Sequence, residues 1–175
     1  MLISLLQKQT PLIDVRSPIE YKKGALPNSI NLPILLDDER EQVGKAYKKL
    51  GPGPATDLGF KLVSRDIKEK RVNNWLNFIS NNPSAQIYCA RGGQRSKIAQ
   101  TWIAERGVNI SKIDGGFKSL RNECLNIIDE ACIDEKKWIV IAGMTGTNKT
   151  GIITLLNNGI DLEGLANHRG SAFGG

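Results

Sequence analysis

Residues 86–96 read Gln86-Ile87-Tyr88-Cys89-Ala90-Arg91-Gly92-Gly93-Gln94-Arg95-Ser96. Gln86 to Cys89 has the short apolar, β-branched and aromatic make-up of a buried strand, and two glycines punctuate the loop beyond it. Gln94 then opens a segment with Ile98, Trp102 and Ile103 at helical spacing, stopped by Gly107 after Arg106. A strand that hands a cysteine to a glycine turn and a helix is part of an alternating α/β pattern. Open parallel sheets carry their sites at this carboxyl edge.

The same alternation extends outward. Leu12 to Val15 reads as a buried strand closed by Arg16-Ser17-Pro18, with Ser17 as helix cap, Pro18 at the first helical position and Glu20 three residues after the cap. Ser29 to Leu32 reads as a second strand. Asp37 to Leu50 reads as a helix stopped by Gly51-Pro52-Gly53-Pro54, and 55–79 as mostly helical. Val108 to Ile113 is the fourth strand, 118–130 is helical, and Trp138 to Ala142 is a fifth apolar strand with its own glycine-rich turn. The pattern predicts an α/β fold with a parallel sheet and flanking helices over 1–123. A linker at 124–137 leads to a second segment at 138–175.

The cysteine loop carries the clearest chemistry. Gly92 and Gly93 can adopt the backbone that turns successive N–H groups inward, forming an anion nest. Those amides, the helix N-terminus and the Arg95 guanidinium favour a thiolate, whose pKa such surroundings bring from near 8.5 to roughly 3.5–7.5. Cys89 is thus a candidate nucleophile that needs no histidine, with Arg91, Gly92, Gly93, Gln94 and Arg95 as its anion-binding set. A persulfide, a selenenyl-sulfide and a cysteinyl phosphate all remain open as its product. Cys124 and Cys132 lie at helix-like positions and are expected in packing roles.

Composition narrows the class. The 175 residues are 40% hydrophobic and 24% charged, with a net charge of +6, as in globular proteins. No apolar run reaches the roughly 18 residues of a membrane span, and a secretory leader pattern is lacking. With three cysteines, no C-x-x-C and one histidine, His168, no metal site is expected, and a reducing, cytoplasmic setting fits. Charge is uneven: 1–123 carries +8 and 124–175 carries −2. The clusters Lys45/Lys48/Lys49, Lys68/Lys70/Arg71 and Arg91/Arg95/Lys97 suit a polyanion such as RNA.

Leu12-Ile13-Asp14-Val15-Arg16-Ser17-Pro18-Ile19-Glu20-Tyr21 and Gly24 to Pro33 resemble the opening of a rhodanese domain, and Asp114 to Arg121 resembles its close. Ala25 stands where that pattern usually has histidine. Five residues separate Cys89 from Arg95, one more than in common sulfur-transfer rhodaneses and the spacing of the phosphatases of that superfamily. Two further stretches narrow the likeness. The segment from Asp38 to Val63 resembles the insert of the tRNA 2-selenouridine synthases, and Asp161 to Gly174 is similar to the signature after their P-loop.

Gly143-Met144-Thr145-Gly146-Thr147-Asn148-Lys149-Thr150 comes after the expected fifth strand as a P-loop does. The pattern G-x-x-x-x-G-K-[ST] holds at Gly143, Lys149 and Thr150 and is broken at Asn148, so with Gly146 this is a degenerate phosphate loop with weakened anion binding. Only 38 residues run from Trp138 to Gly175, too few for a whole P-loop sheet. The chain therefore resembles a truncated or split synthase.

The resemblance implies selenium-for-sulfur exchange at the 2-thiouridine of the tRNA wobble position, through an S-geranyl intermediate. Selenophosphate and geranyl diphosphate would be co-substrates, with no tightly bound cofactor. Partners would be tRNA, and either a selenophosphate synthetase or a separate chain completing the P-loop domain. A stand-alone rhodanese-type sulfurtransferase, a C-x5-R phosphatase and a non-catalytic tRNA-binding remnant are the competing readings.

Overall fold

The computed structural model describes residues 2–133, 135, 137–144 and 146–166, with Cys132 as backbone only. They fall into two compact units, Met1–Cys132 and Ile133–Gly175. In the first, α1 (Leu2–Gln7) precedes β1 (Leu12–Asp14), α2 (Pro18–Lys22) and β2 (Ser29–Asn31). Then come α3 (Asp37–Leu50), α4 (Pro52–Leu62), α5 (Arg65–Asn81), β3 (Gln86–Tyr88), α6 (Gln94–Ala104) and β4 (Ser111–Lys112), with α7 (Gly116–Ile133) last. The sheet is wholly parallel in the order β2-β1-β3-β4, as alternating strands and helices require. In register, Ile13 faces Ile30 and Ile87, and Asp14 faces Asn31 and Tyr88.

Successive strand residues serve opposite faces of the sheet. Ile13, Val15, Ile87 and Cys89 join Val72, Trp75, Trp102 and Ile103 in one core cluster. Leu12 and Tyr88 join Leu2, Leu5, Ile113 and Leu120 in another. Helices therefore cover both faces, the usual solution for a parallel sheet. Trp75 is fully buried, donates its indole N–H to the Leu32 carbonyl at 2.9 Å, and stacks on Trp102 with ring centroids 6.2 Å apart.

Three local expectations change. Gly51 ends α3 after Leu50 as the sequence predicts, but the next helix begins at Pro52 rather than at residue 55. Prolines in a first turn lose no helical hydrogen bond there. The helical stretch 55–79 is two helices, broken at Val63-Ser64, where the backbone turns extended before α5. Only half of the capping box forms: Glu20 Oε2 accepts from the Ser17 N–H at 3.1 Å, while the buried Ser17 hydroxyl has no partner among the described residues.

The second unit holds α8 (Lys149–Leu155) and α9 (Leu162–Leu165). The expected fifth strand at Trp138–Ala142 is irregular, with Ile139 and Val140 81% and 86% exposed. A strand persists by pairing with neighbours, and no described segment pairs with this one. Asn148 caps α8 in left-handed backbone, φ 56° and ψ 34°, a conformation asparagine tolerates. Asp161 caps α9 by accepting from the Gly164 N–H at 3.1 Å. His168, Arg169 and the rest of the signature beyond Ala166 lie outside the described residues, as does the Cys132 side chain.

Candidate active site at the cysteine loop

β3 leads directly to Cys89, and the loop beyond it is held from outside by its own carbonyls. Cys89 O accepts from the Phe117 N–H and Ala90 O from the Lys118 N–H, both at 2.9 Å. Gly92 O accepts from Lys112 Nζ at 2.9 Å and Gly93 O from the Lys97 N–H at 3.2 Å, while the single Ser96 hydroxyl proton has both Gly93 O and the Cys89 sulfur as acceptors at 3.2 Å. With its acceptors engaged in this way, the loop presents amide donors to the sulfur.

The loop's path depends on two glycines with positive φ. Gly116, at φ +56°, lies so close that a Cβ there would overlap the Cys89 carbonyl oxygen and the Gly92 nitrogen. Gly92, at φ +62°, would place a Cβ 2.6 Å from the Gly115 nitrogen. The Asp114-Gly115-Gly116-Phe117 turn and the cysteine loop thus fit only with hydrogen at both positions.

Cys89 is 3% exposed and its Sγ lies 3.2 Å from Ser96 Oγ. Burial pushes its pKa up. Hydrogen bonds from the Ser96 hydroxyl and from the Ser96 and Arg91 N–H groups, with the Arg95 charge, outweigh this and bring it below the ordinary thiol value.

The expected set is only partly drawn together around the sulfur. Arg91 contributes its N–H while its side chain is exposed, and Gln94 starts α6 with Oε1 3.5 Å from Thr56 Oγ1. Arg95 does not reach for the thiol. Its Nη1 and Nη2 donate to Glu20 Oε2 and Oε1 at 2.6 and 3.1 Å, a charge-assisted fork that offers more than a lone sulfur. Burial pushes the Glu20 carboxyl up, but Arg95, the Ser17 N–H and Arg40 bring it down to about 2.

Sequence reasoning assigned Glu20 to capping alone and passed over Ser96. Glu20 sits 75 residues from Arg95 and carries no local mark of the pairing. Ser96, next to Arg95 at a helix start, was legible as a loop donor.

The basic clusters also divide. Arg71 is structural, pairing with Glu39 at 2.8 Å and donating to the Ile34 carbonyl. Lys45 pairs with Glu41 at 2.6 Å, and Lys68 with Glu105 at 2.9 Å while lying over Trp102. Among the described residues, Lys48, Lys49, Lys70, Arg91 and Lys97 form no ion pair. In the second unit, Lys149 Nζ folds back onto the Gly143 and Met144 carbonyls, both at 2.9 Å. Gly146 has φ +88°, and Thr150 is exposed in the first turn of α8. Cys124 packs against the second core cluster.

No helix among the described residues is long and apolar enough to cross a membrane. Residues 2–123 match the family model for the rhodanese-like domain, and residues 136–175 match that for the tRNA 2-selenouridine synthase AAA domain. A tRNA 2-selenouridine synthase of Sulfurovum sp. (strain NBC37-1) is 50% identical over 171 residues, 98% of this chain and 47% of that protein. One from Psychromonas ingrahamii is 48% identical over 98% of this chain and 46% of its own length. The chain thus spans about half the length of the curated relatives it matches. The solved N-terminal domain of a protein from Clostridium difficile 630 superposes with a TM-score of 0.61 at 34% identity, covering 66% of this chain and 89% of that one. Over 98% of its length the chain is similar to these synthases, and it belongs to the rhodanese-like family.

Proposed function

We propose that this chain is the rhodanese-bearing part of an enzyme that exchanges sulfur for selenium at the 2-position of the tRNA wobble uridine, by way of the S-geranyl base. The observation that carries the reading is the buried Cys89 thiol, ringed by the Ser96 hydroxyl and the Ser96 and Arg91 N–H groups. Cys89 is the nucleophile. The backbone from Arg91 to Arg95, through Gly92, Gly93 and Gln94, holds the anion of selenophosphate. Lys48, Lys49, Lys70, Arg91 and Lys97 offer cations to the tRNA backbone. A reducing cytoplasm, where tRNA is modified and a thiol stays free, is the compartment that suits this chemistry.

Electron balance selects how the thiolate acts. Attack on the phosphorus of selenophosphate forms an S–P bond and breaks the P–Se bond, and the electron pair leaves with selenium as hydrogen selenide. Neither sulfur nor phosphorus changes oxidation state, and water later returns phosphate and the free thiol. Moving selenium itself onto sulfur would leave phosphorus two electrons richer, as phosphite. Hydrogen selenide then attacks C2 of the alkylated base, forming C–Se and breaking C–S, and the alkyl thiolate departs. A loop of amides around the sulfur suits the phosphoryl oxygens of such an intermediate. The Gly143, Gly146, Lys149 and Thr150 loop, with the segment from residue 138 onward, would hold the diphosphate of the alkyl donor. A selenophosphate-forming enzyme is the partner this chemistry requires.

The test is mass spectrometry of the Cys89 peptide after incubation with selenophosphate. A phosphoryl adduct, absent in Cys89→Ser, is expected, and the isotope envelope separates it from a selenium adduct. Selenium on the sulfur would replace the phosphoryl step. No adduct, with tRNA binding unchanged in Cys89→Ser, would overturn the catalytic reading in favour of a tRNA-binding module.

A further inference from the structure

The peptide joining Gly92 to Gly93 is flanked by two residues without a Cβ, so few steric barriers fix which way it faces. Its direction decides what the loop can offer a ligand. In a trans peptide the C=O and the following N–H point in opposite directions, and the described residues contain no cis bond. Neighbouring peptides are oriented by backbone, since the Phe117 and Lys118 N–H groups hold Cys89 O and Ala90 O at 2.9 Å. The second of these contacts turns the Arg91 N–H toward the Cys89 sulfur, to which it donates. Gly92 O is held by a side chain instead: Lys112 Nζ, from the end of β4, donates to it at 2.9 Å.

Lys112 is itself fixed. β4 sets it opposite Ile87 on the neighbouring strand, and Asp114 Oδ1 lies 2.9 Å from the same ammonium. Its partner across the peptide, the Gly93 N–H, donates to no described residue. We propose that Lys112 is a positioning residue: by holding the Gly92 carbonyl outward it aims the Gly93 N–H at the oxyanion that the cysteine loop binds. The ammonium acts through the peptide and does not touch the ligand. Without it, the glycine-flanked peptide is free to turn, and a turned peptide would present a carbonyl oxygen to an anion.

This role rests on the reading of the cysteine loop as an oxyanion site, and the test separates the two. Inorganic phosphate is the probe, read by its protection of Cys89 from iodoacetamide in the full chain. Wild type is expected to be protected. Lys112→Met, which keeps the aliphatic stem, should need roughly tenfold or more phosphate for equal protection, as losing one hydrogen bond to a charged group implies. Its thiol pKa without phosphate should stay at the wild-type value, because the donors to the sulfur are the Ser96 hydroxyl and the Ser96 and Arg91 N–H groups. Lys112→Arg, which keeps a cationic donor, should restore most of the protection. The ratio between wild type and Lys112→Met should persist in high potassium chloride, since salt screens a distant charge and not an aimed amide. Equal protection in wild type and Lys112→Met, no rescue by Lys112→Arg, a ratio that salt abolishes, or a thiol pKa that moves with it would overturn the positioning role alone. Wild type left unprotected by phosphate would overturn it together with the oxyanion reading.

Discussion

Glu20, in the short helix after the first strand, receives both terminal nitrogens of Arg95 from the cysteine loop, at 2.6 and 3.1 Å. The two residues are 75 apart in sequence. Their pairing ties the first strand-to-helix turn to the cysteine loop and offsets the charge that would otherwise act on Cys89. Glu20→Gln should therefore lower the Cys89 pKa, because the guanidinium is released, while Arg95→Gln should raise it. The pH dependence of iodoacetamide alkylation measures both, and shifts of the same sign would contradict a neutralising role for Glu20.

The same carboxylate makes stability depend on acid. Its folded pKa of about 2 lies below the 4.5 of an unperturbed glutamate, so the unfolded chain takes up the proton first. The contribution is complete above about pH 4.5 and is lost as pH falls toward 2. Denaturant titrations across this window should show wild type losing up to about 3 kcal/mol that Glu20→Gln does not lose.

Ser96 Oγ lies 3.2 Å from the Cys89 sulfur. Removing a hydrogen bond to an ionised group costs about 1.5–3 kcal/mol, so Ser96→Ala should raise the thiol pKa by roughly one unit or more. Slower alkylation near neutral pH with an unchanged limiting rate at high pH is the expected signature.

Gly116→Ala forces a Cβ onto the Cys89 carbonyl and the Gly92 nitrogen. Backbone on both sides cannot yield cheaply, and the expected loss exceeds roughly 2 kcal/mol in thermal or chemical unfolding. Gly93→Ala, where no atom lies within 4 Å of the added carbon, should cost far less. Equal losses would show that close packing is not what Gly116 serves.

Trp75→Ala removes a fully buried indole, its hydrogen bond to Leu32 and its stack on Trp102. About 3–5 kcal/mol of unfolding free energy should be lost. Because Trp102 also lines the apolar pocket between α3, α4 and α6, binding of hydrophobic probes there should weaken as well.

Short-range patterns in the chain were enough to reveal the parallel α/β fold, the cysteine at a strand end and the glycine loop behind it. Strand residues such as Ile13 and Ile87, glycine punctuation and the Ser96-bearing helix start all act within a few positions of themselves. Only the tertiary structure decided that Arg95 turns to Glu20, that Arg71 serves Glu39, and that residues of α3, α4 and α6 line one apolar pocket. It also decided that Trp138–Ala142, strand-like by composition, lies irregular and exposed. The physical reason is common to these cases: charge pairs, cavities and sheet hydrogen bonds depend on distances between residues far apart in the chain, which local sequence does not encode.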